Sequence, residues 1–240
     1  MEFVISAHRG ASSYAPENTL ASFYKAIELG ANGIETDLRK TRDGIVFLFH
    51  DTVLDNKTNG KGSPSEHTWA ELKQLDAGSW FSTRYKGERL LTFEEFLYYF
   101  GGRELVFDIE LKVPFVEEEA KELIELTSTY GAREKVTFTS FIYDNLVTFR
   151  NTDSGIKIGY LLEKISAEDI EKLKSIDAQQ ICPLARLLTH QNVLYAKESG
   201  LRVRAWGIDN IRLMKHAFNC GVDGMTLDFP DKLVKLLNNS

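Results

Sequence analysis

The chain has 240 residues, and 29 Lys and Arg stand against 35 Asp and Glu for a net charge of −6. Its 43% hydrophobic and 27% charged residues suit an ordinary globular protein and exclude a disordered segment, a collagen-like fibre and a disulfide scaffold. A pI of about 5.5 argues against a nucleic-acid groove, which needs a basic face.

The opening Met1-Glu2-Phe3-Val4-Ile5-Ser6-Ala7 has no basic start and no apolar stretch long enough for a secretory leader. It reads as a first strand, and a cytoplasmic protein is expected. Short β-branched or aromatic runs then recur at 3–7, 33–38, 45–49, 105–111, 135–140, 157–162, 180–183, 202–206 and 224–227. Helical periodicity lies between most of them. Over 19–29 it puts Leu20, Phe23 and Ile27 on one face. Over 116–130 it does the same for Ala120, Leu123, Ile124 and Thr127. Thr68-x-x-Glu71 and Thr92-x-x-Glu95 read as capping boxes, and Gly30, Gly131, Gly200 and Gly221 sit where helices should end.

Strand–helix alternation along the whole chain predicts parallel strands with crossover helices. Eight such units in about 250 residues make a (β/α)₈ TIM barrel, so the nine runs leave one strand over. A doubly wound open sheet is the rival, but no glycine-rich dinucleotide loop follows the first strand. One stretch breaks the rhythm. Residues 51–91 are rich in Gly, Ser, Lys, Asn and Thr, with a short helix near 69–75 and the aromatics Trp69, Trp80, Phe81 and Tyr85. A connection this long reads as a functional insertion, a cap over the barrel mouth. The reading is one domain, 1–240, with that cap. Cys182 and Cys220 are expected to be free buried thiols, and no apolar stretch approaches the roughly eighteen residues of a membrane span.

Barrel chemistry happens at the C-terminal ends of strands, and those ends are charged here. The first carries His8-Arg9-Gly10, the second Glu35-Thr36-Asp37, the third His50-Asp51 and the fourth Asp108-Ile109-Glu110-Leu111-Lys112. Strand side chains alternate faces, so Glu35 and Asp37 share one face, as do Asp108, Glu110 and Lys112. Converging carboxylates repel by about 4 kcal/mol per pair at about 4 Å and an effective dielectric near 20. Either some are protonated or a cation holds them, and all-oxygen ligands select Mg²⁺, Ca²⁺ or Mn²⁺. The plainer alternative is separate ion pairs, Glu110 with Lys112 and Glu35 with Arg39. His8 and His50 could flank one substrate as proton carriers, whereas His67, His190 and His216 read as structural or solvated. Arg9 and Lys112 suit a phosphate.

Together these residues resemble the glycerophosphodiester phosphodiesterase family. The likeness begins with His8-Arg9-Gly10, Pro16-Glu17-Asn18-Thr19, Phe23, Ala26 and Gly30. It continues through Glu35-x-Asp37, Thr41-x-Asp43-Gly44, His50-Asp51 and Gly60-x-Gly62. It extends to Glu110-x-Lys112, Ser140-Phe141, Trp206, Val222-Asp223-Gly224 and Asp228-x-Pro230-Asp231. The resemblance implies a barrel with a small insertion after the His50-Asp51 strand. It implies Glu35, Asp37 and Glu110 as ligands of one divalent cation, His8 and His50 as the acid–base pair, and Arg9 and Lys112 as phosphate ligands. Trp206 would line the substrate pocket, and Asp108 carries no assured role. The substrate implied is a small glycerophosphodiester, with lysophospholipids or phosphoinositides as alternatives and a non-catalytic phosphate-binding role behind them. The chain departs from the usual pattern at Asn56-Lys57-Thr58 (usually Arg-Thr-Thr), Leu91 (Pro), Gly207 (Thr) and Leu227 (Thr). These departures bear on the alcohol moiety rather than the reaction.

Overall fold

Eight parallel strands close into a ring in the computed structural model, which describes residues 3–239. The chain order is β1 (Val4–His8), α1 (Leu20–Glu28), β2 (Gly33–Lys40), β3 (Val46–Leu48), α2 (Trp69–Leu72), α3 (Phe93–Phe100) and β4 (Val106–Leu111). Then come α4 (Glu117–Thr129), β5 (Val136–Ser140), α5 (Tyr143–Thr152), β6 (Lys157–Leu162), α6 (Ala167–Ser175) and β7 (Gln180–Pro183). The chain continues with α7 (His190–Glu198), β8 (Arg202–Ile208), α8 (Ile211–Asn219), β9 (Gly224–Leu227) and α9 (Pro230–Leu237). β1 pairs with both β2 and β9, which closes the barrel and rules out the open sheet. Met1 and Glu2, part of the expected first strand, lie outside the described residues.

The strand left over is β3. It runs antiparallel to β2, pairing Leu38 with Leu48 and Lys40 with Val46, and is not a barrel stave. The expectation that His50 ends a third parallel strand is therefore corrected. β2 overshoots the barrel, turns at 41–45 and returns as β3, so His50 comes down onto the mouth beside Asp37. The Phe49 amide donates to the Asp37 carbonyl at 3.0 Å, fixing that approach. Periodicity carries no strand direction, so the pattern of 45–49 could not separate the two cases.

Outside the ring, helices cover an apolar layer in which Phe23 meets Phe96 at 5.0 Å and Phe96 meets Phe107 at 5.5 Å. α4 buries Ala120, Leu123, Ile124 and Thr127, as its periodicity requires. α1 is rotated slightly from expectation, burying Ser22, Phe23 and Ala26 and leaving Leu20 and Ile27 partly covered. Thr92 and Glu95 form their capping box at the start of α3, and Thr68 and Glu71 form theirs before α2. Gly30, Gly131, Gly200 and Gly221 all take positive φ after helices. Cys182 and Cys220 are free and buried.

Much of the barrel interior is polar. Asp108 accepts from Ser6 Oγ at 2.7 Å and Gln180 Nε2 at 3.1 Å, and pairs with Arg204 Nε at 3.1 Å. Arg204 also reaches Thr226 and Cys182. Asp108 thus belongs to a buried support beneath the mouth. Removing one partner of such a pair leaves an uncompensated charge. Asp108→Asn is expected to cost about 3 kcal/mol or more, read as a melting temperature lowered by several degrees.

Residues 51–91 build a small core of their own on Phe47 and Phe49, with Leu54, Leu72, Ala77 and Leu90. The four aromatics divide into two groups. Trp69 packs on Phe47 at 5.9 Å, while Trp80, Phe81 and Tyr85 form an edge-to-face series. The Tyr85 hydroxyl donates to the Tyr14 carbonyl at 2.9 Å, tying the insertion to the loop after β1.

Candidate active site

The mouth of the barrel holds a cavity of about 330 Å³ lined by His8, Arg9, Glu35, His50, Glu110 and Lys112 on one side. Period-two alternation turns Glu35 and Asp37 of β2 and Glu110 of β4 inward, while Ile34, Leu38, Ile109 and Leu111 pack outward in the core. Carboxylate oxygens of Glu35, Asp37 and Glu110 lie within 4.8 Å of one another. The loop after β1 is shaped by its backbone. Arg9 takes φ +57° and Gly10 φ +82°. A Cβ on Gly10 would stand 2.5 Å from Ser22 Oγ, so only glycine lets this turn close on α1. The strained Arg9 backbone brings its amide to Glu35 Oε2 at 3.1 Å.

Three buried carboxylates cannot all be charged without help. Burial and the charge of Asp37 push the Glu35 carboxyl up to about 8 and raise Glu110 as well. Burial works against the Asp37 charge too, but Arg9, His50 and Lys112 outweigh it and hold that carboxyl below its usual range. Lys112 Nζ lies 2.8 Å from Glu110 and 3.9 Å from Asp37, and Arg9 Nε lies 3.4 Å from Asp37. The expected Glu110–Lys112 pair therefore exists. The Glu35–Arg39 pair does not form, because Arg39 donates to the His50 carbonyl at 2.7 and 2.9 Å. Asp37 Oδ1 is buried with no hydrogen-bond partner. An orphaned carboxylate oxygen in an all-oxygen donor set fits a hard divalent cation.

Each histidine is oriented by a carboxylate. His8 Nδ1 lies 2.6 Å from Asp228 and His50 Nδ1 lies 2.8 Å from Asp51, which leaves Nε2 of each ring for the cavity both line. Burial draws both pKa values down. For His8 the Asp228 hydrogen bond together with the negative charges of Glu35 and Asp228 outweighs it and the value lies above the ordinary one, whereas His50 stays below. His67 meets the Lys61 carbonyl, His216 meets the Leu188 carbonyl and His190 opens α7, all outside this cavity. Trp206 faces it, with Nε1 donating to the Leu162 carbonyl at 3.1 Å and its ring perpendicular to Phe141 at 5.2 Å.

Asp228, Asp51, Glu17, Asn18 and Phe141 received no role from sequence reasoning. All five lie inside matched motifs, which was the signal available. Asn18 donates to Asp37 Oδ2 at 3.1 Å and accepts from Thr36 at 2.7 Å, despite φ +55°. Glu17, His50 and Asp51 also bring ligand atoms within 4.8 Å. There Glu17 is already paired with Arg9 and Lys57, and Asp51 with His50.

Comparison with known proteins agrees with this geometry. The profile of the glycerophosphoryl diester phosphodiesterase family matches residues 8–232. A glycerophosphodiester phosphodiesterase of Caldanaerobacter subterraneus subsp. tengcongensis is 33% identical over 99% of this chain and 98% of its own. The solved structure of an Oleispira antarctica phosphodiesterase, in complex with the product sn-glycerol-3-phosphate, is 32% identical and superposes with a TM-score of 0.85, covering 97% of this chain and 96% of that one. A glycerophosphodiester phosphodiesterase from Agrobacterium tumefaciens is 27% identical with a TM-score of 0.83, over 98% of this chain and 100% of its own. Among the described residues no helix is long and apolar enough to cross a membrane. With this barrel, this site and a family match over nearly its whole length, the chain belongs to the glycerophosphoryl diester phosphodiesterase family.

Proposed function

We propose that the protein hydrolyses glycerophosphodiesters to sn-glycerol 3-phosphate and an alcohol in a divalent-cation-dependent reaction, as one barrel domain that carries 51–91 as its insertion. The observation that carries this reading is one cavity lined by Glu35, Glu110 and two carboxylate-oriented histidines, with the buried Asp37 carboxylate within 4.8 Å of both glutamates. Glu35, Asp37 and Glu110 would hold the cation, Mg²⁺, Ca²⁺ or Mn²⁺, which when bound cancels their repulsion and supplies positive charge to a phosphoryl oxygen.

Arg9 and Lys112 bind phosphate oxygens, the first through its planar fork and the second as a point charge. One histidine takes the proton of the glycerol 2-hydroxyl at Nε2. That oxygen attacks phosphorus in line, the bond to the alcohol oxygen breaks, and the other histidine protonates the departing alcohol. Water then opens the cyclic phosphate with the two roles reversed. Asp228 and Asp51 hold each ring's tautomer and stabilise it when cationic. Trp206 and Phe141 wall the cavity against an organic arm of the substrate.

The deciding experiment assays diesters of choline, ethanolamine, glycerol and inositol, with each cation added back after chelation and glycerol 3-phosphate as the measured product. No release from any of them would overturn the reading. The cyclic step makes a further prediction: a diester whose glycerol 2-hydroxyl is replaced by hydrogen is expected to remain uncleaved over many wild-type turnovers. A second reading, hydrolysis of lysophospholipids, is favoured by the apolar wall of Phe141, Leu161, Trp206, Ile208 and Leu227. Faster turnover of lysophosphatidylcholine than of glycerophosphocholine would select it.

A further inference from the structure

Arg9 is held from behind by a series of groups that takes no part in the reaction above. Its Nη1 donates to Glu17 Oε1 at 3.0 Å, and Glu17 Oε2 meets Lys57 Nζ at 2.9 Å. The same ammonium lies 3.9 Å from the centroid of the Trp80 ring. Trp80 is fixed in turn, its Nε1 donating to the Ala77 carbonyl at 2.8 Å. The Glu17 side chain is only 10% exposed, so water screens it weakly. Lys57 and Trp80 belong to the 51–91 insertion, which contributes nothing to the lining of the cavity itself.

A lone buried carboxylate on the Arg9 guanidinium would compete with an incoming phosphate for the same fork of donors. With Lys57 beside it, Glu17 is shared between two cations and its pull on Arg9 is divided. The geometry points to Lys57 as a positioning residue for phosphate binding: it balances Glu17, so that Glu17 orients Arg9 without withholding it from the substrate. The inference rests on the reading of Arg9 as a phosphate ligand. Trp80, through its contact with Lys57, makes the insertion a remote support of that ligand.

The test compares wild type, Lys57→Met, Lys57→Arg and the double variant Lys57→Met/Glu17→Gln. Two readouts are used, steady-state hydrolysis of glycerophosphocholine and calorimetric titration with sn-glycerol 3-phosphate. Lys57→Met is expected to raise KM and weaken glycerol 3-phosphate by about tenfold, with kcat changed by no more than about twofold. Lys57→Arg should behave as wild type, and removing the Glu17 charge in the double variant should restore most of the lost affinity. A merely structural lysine would lower the melting temperature of Lys57→Met without a selective change in KM and glycerol 3-phosphate affinity at near-constant kcat. Unchanged affinity in Lys57→Met, or a loss that Glu17→Gln does not recover, overturns the inference. The two readings fail separately. A wild type that cleaves no diester sinks the proposed activity while the titrations still read Lys57, and full turnover with an indifferent Lys57→Met sinks only the role of Lys57.

Discussion

Alanine at His8 or His50 is expected to lower kcat by about 10³-fold, with the fold and cation binding intact. The magnitude follows from the job, because a positioned proton carrier contributes roughly 10²–10⁴ and each ring serves both halves of the proposed reaction. Asn at Asp228 or Asp51 should give a smaller loss, since Nε2 stays in place while the Nδ1 partner loses its charge. The pH profile separates the two rings. A base must be neutral, so activity falls as pH drops through its pKa. An acid must be protonated, so activity falls as pH rises through its own. With His50 held below the ordinary value and His8 above it, His50 is expected to act as the base of the first step and His8 as its acid. Residual activity of His50→Ala should lack the acidic limb, and that of His8→Ala the alkaline limb. Near-wild-type turnover by either variant would end the acid–base assignment.

Removing divalent cations by thorough chelation is expected to abolish turnover, and Asp37→Asn or Glu35→Gln to prevent its recovery on adding them back. The stability of the protein gives an independent reading. Glu35 titrates near 8 in the folded chain against an ordinary 4.5. A carboxyl raised in this way contributes stability at low pH that is lost as pH climbs through the folded value. The cation-free protein should therefore melt at lower temperature as pH rises from about 5 to about 8. A cation held only by the folded state opposes that loss, by about 2.7 kcal/mol at a hundred times its Kd. Adding Mg²⁺, Ca²⁺ or Mn²⁺ should then raise the melting temperature most at the alkaline end. A melting temperature indifferent to both pH and cation would argue that the three carboxylates hold no metal.

The parts of this molecule legible in the sequence are those governed by local periodicity. Glu35 and Asp37 could be placed on one face because strand side chains alternate, and Ile109 and Leu111 could be turned outward for the same reason. α4 could be read because its apolar residues recur at helical spacing and its first turn is acidic. The direction of β3 was not legible, since three residues of strand look alike whichever way they run. Nor were the partners of the catalytic candidates. Asp228 lies 220 positions from His8, and Lys57 lies 40 from Glu17, distances over which only the closed fold decides who meets whom. Asp108 shows the limit most plainly. Its strand position puts it on the face of Glu110 and Lys112 but gives it no assured role, and only the closed fold shows Arg204 and Ser6 holding it in the layer below.

Barrel closure between β1 and β9 has a consequence for how this protein comes into being. Val4 pairs with Gly224 and Ala7 with Leu227, and the carboxylate that orients His8 sits one residue past that last strand. During synthesis the cation ligands and both histidines leave the ribosome in the first half of the chain, but the ring that organises them stays open until the ninth strand emerges. A nascent or C-terminally shortened chain should carry most of the chemistry and perform none of it. Turnover therefore reports completed synthesis and folding, which makes the activity a self-contained assay for barrel closure.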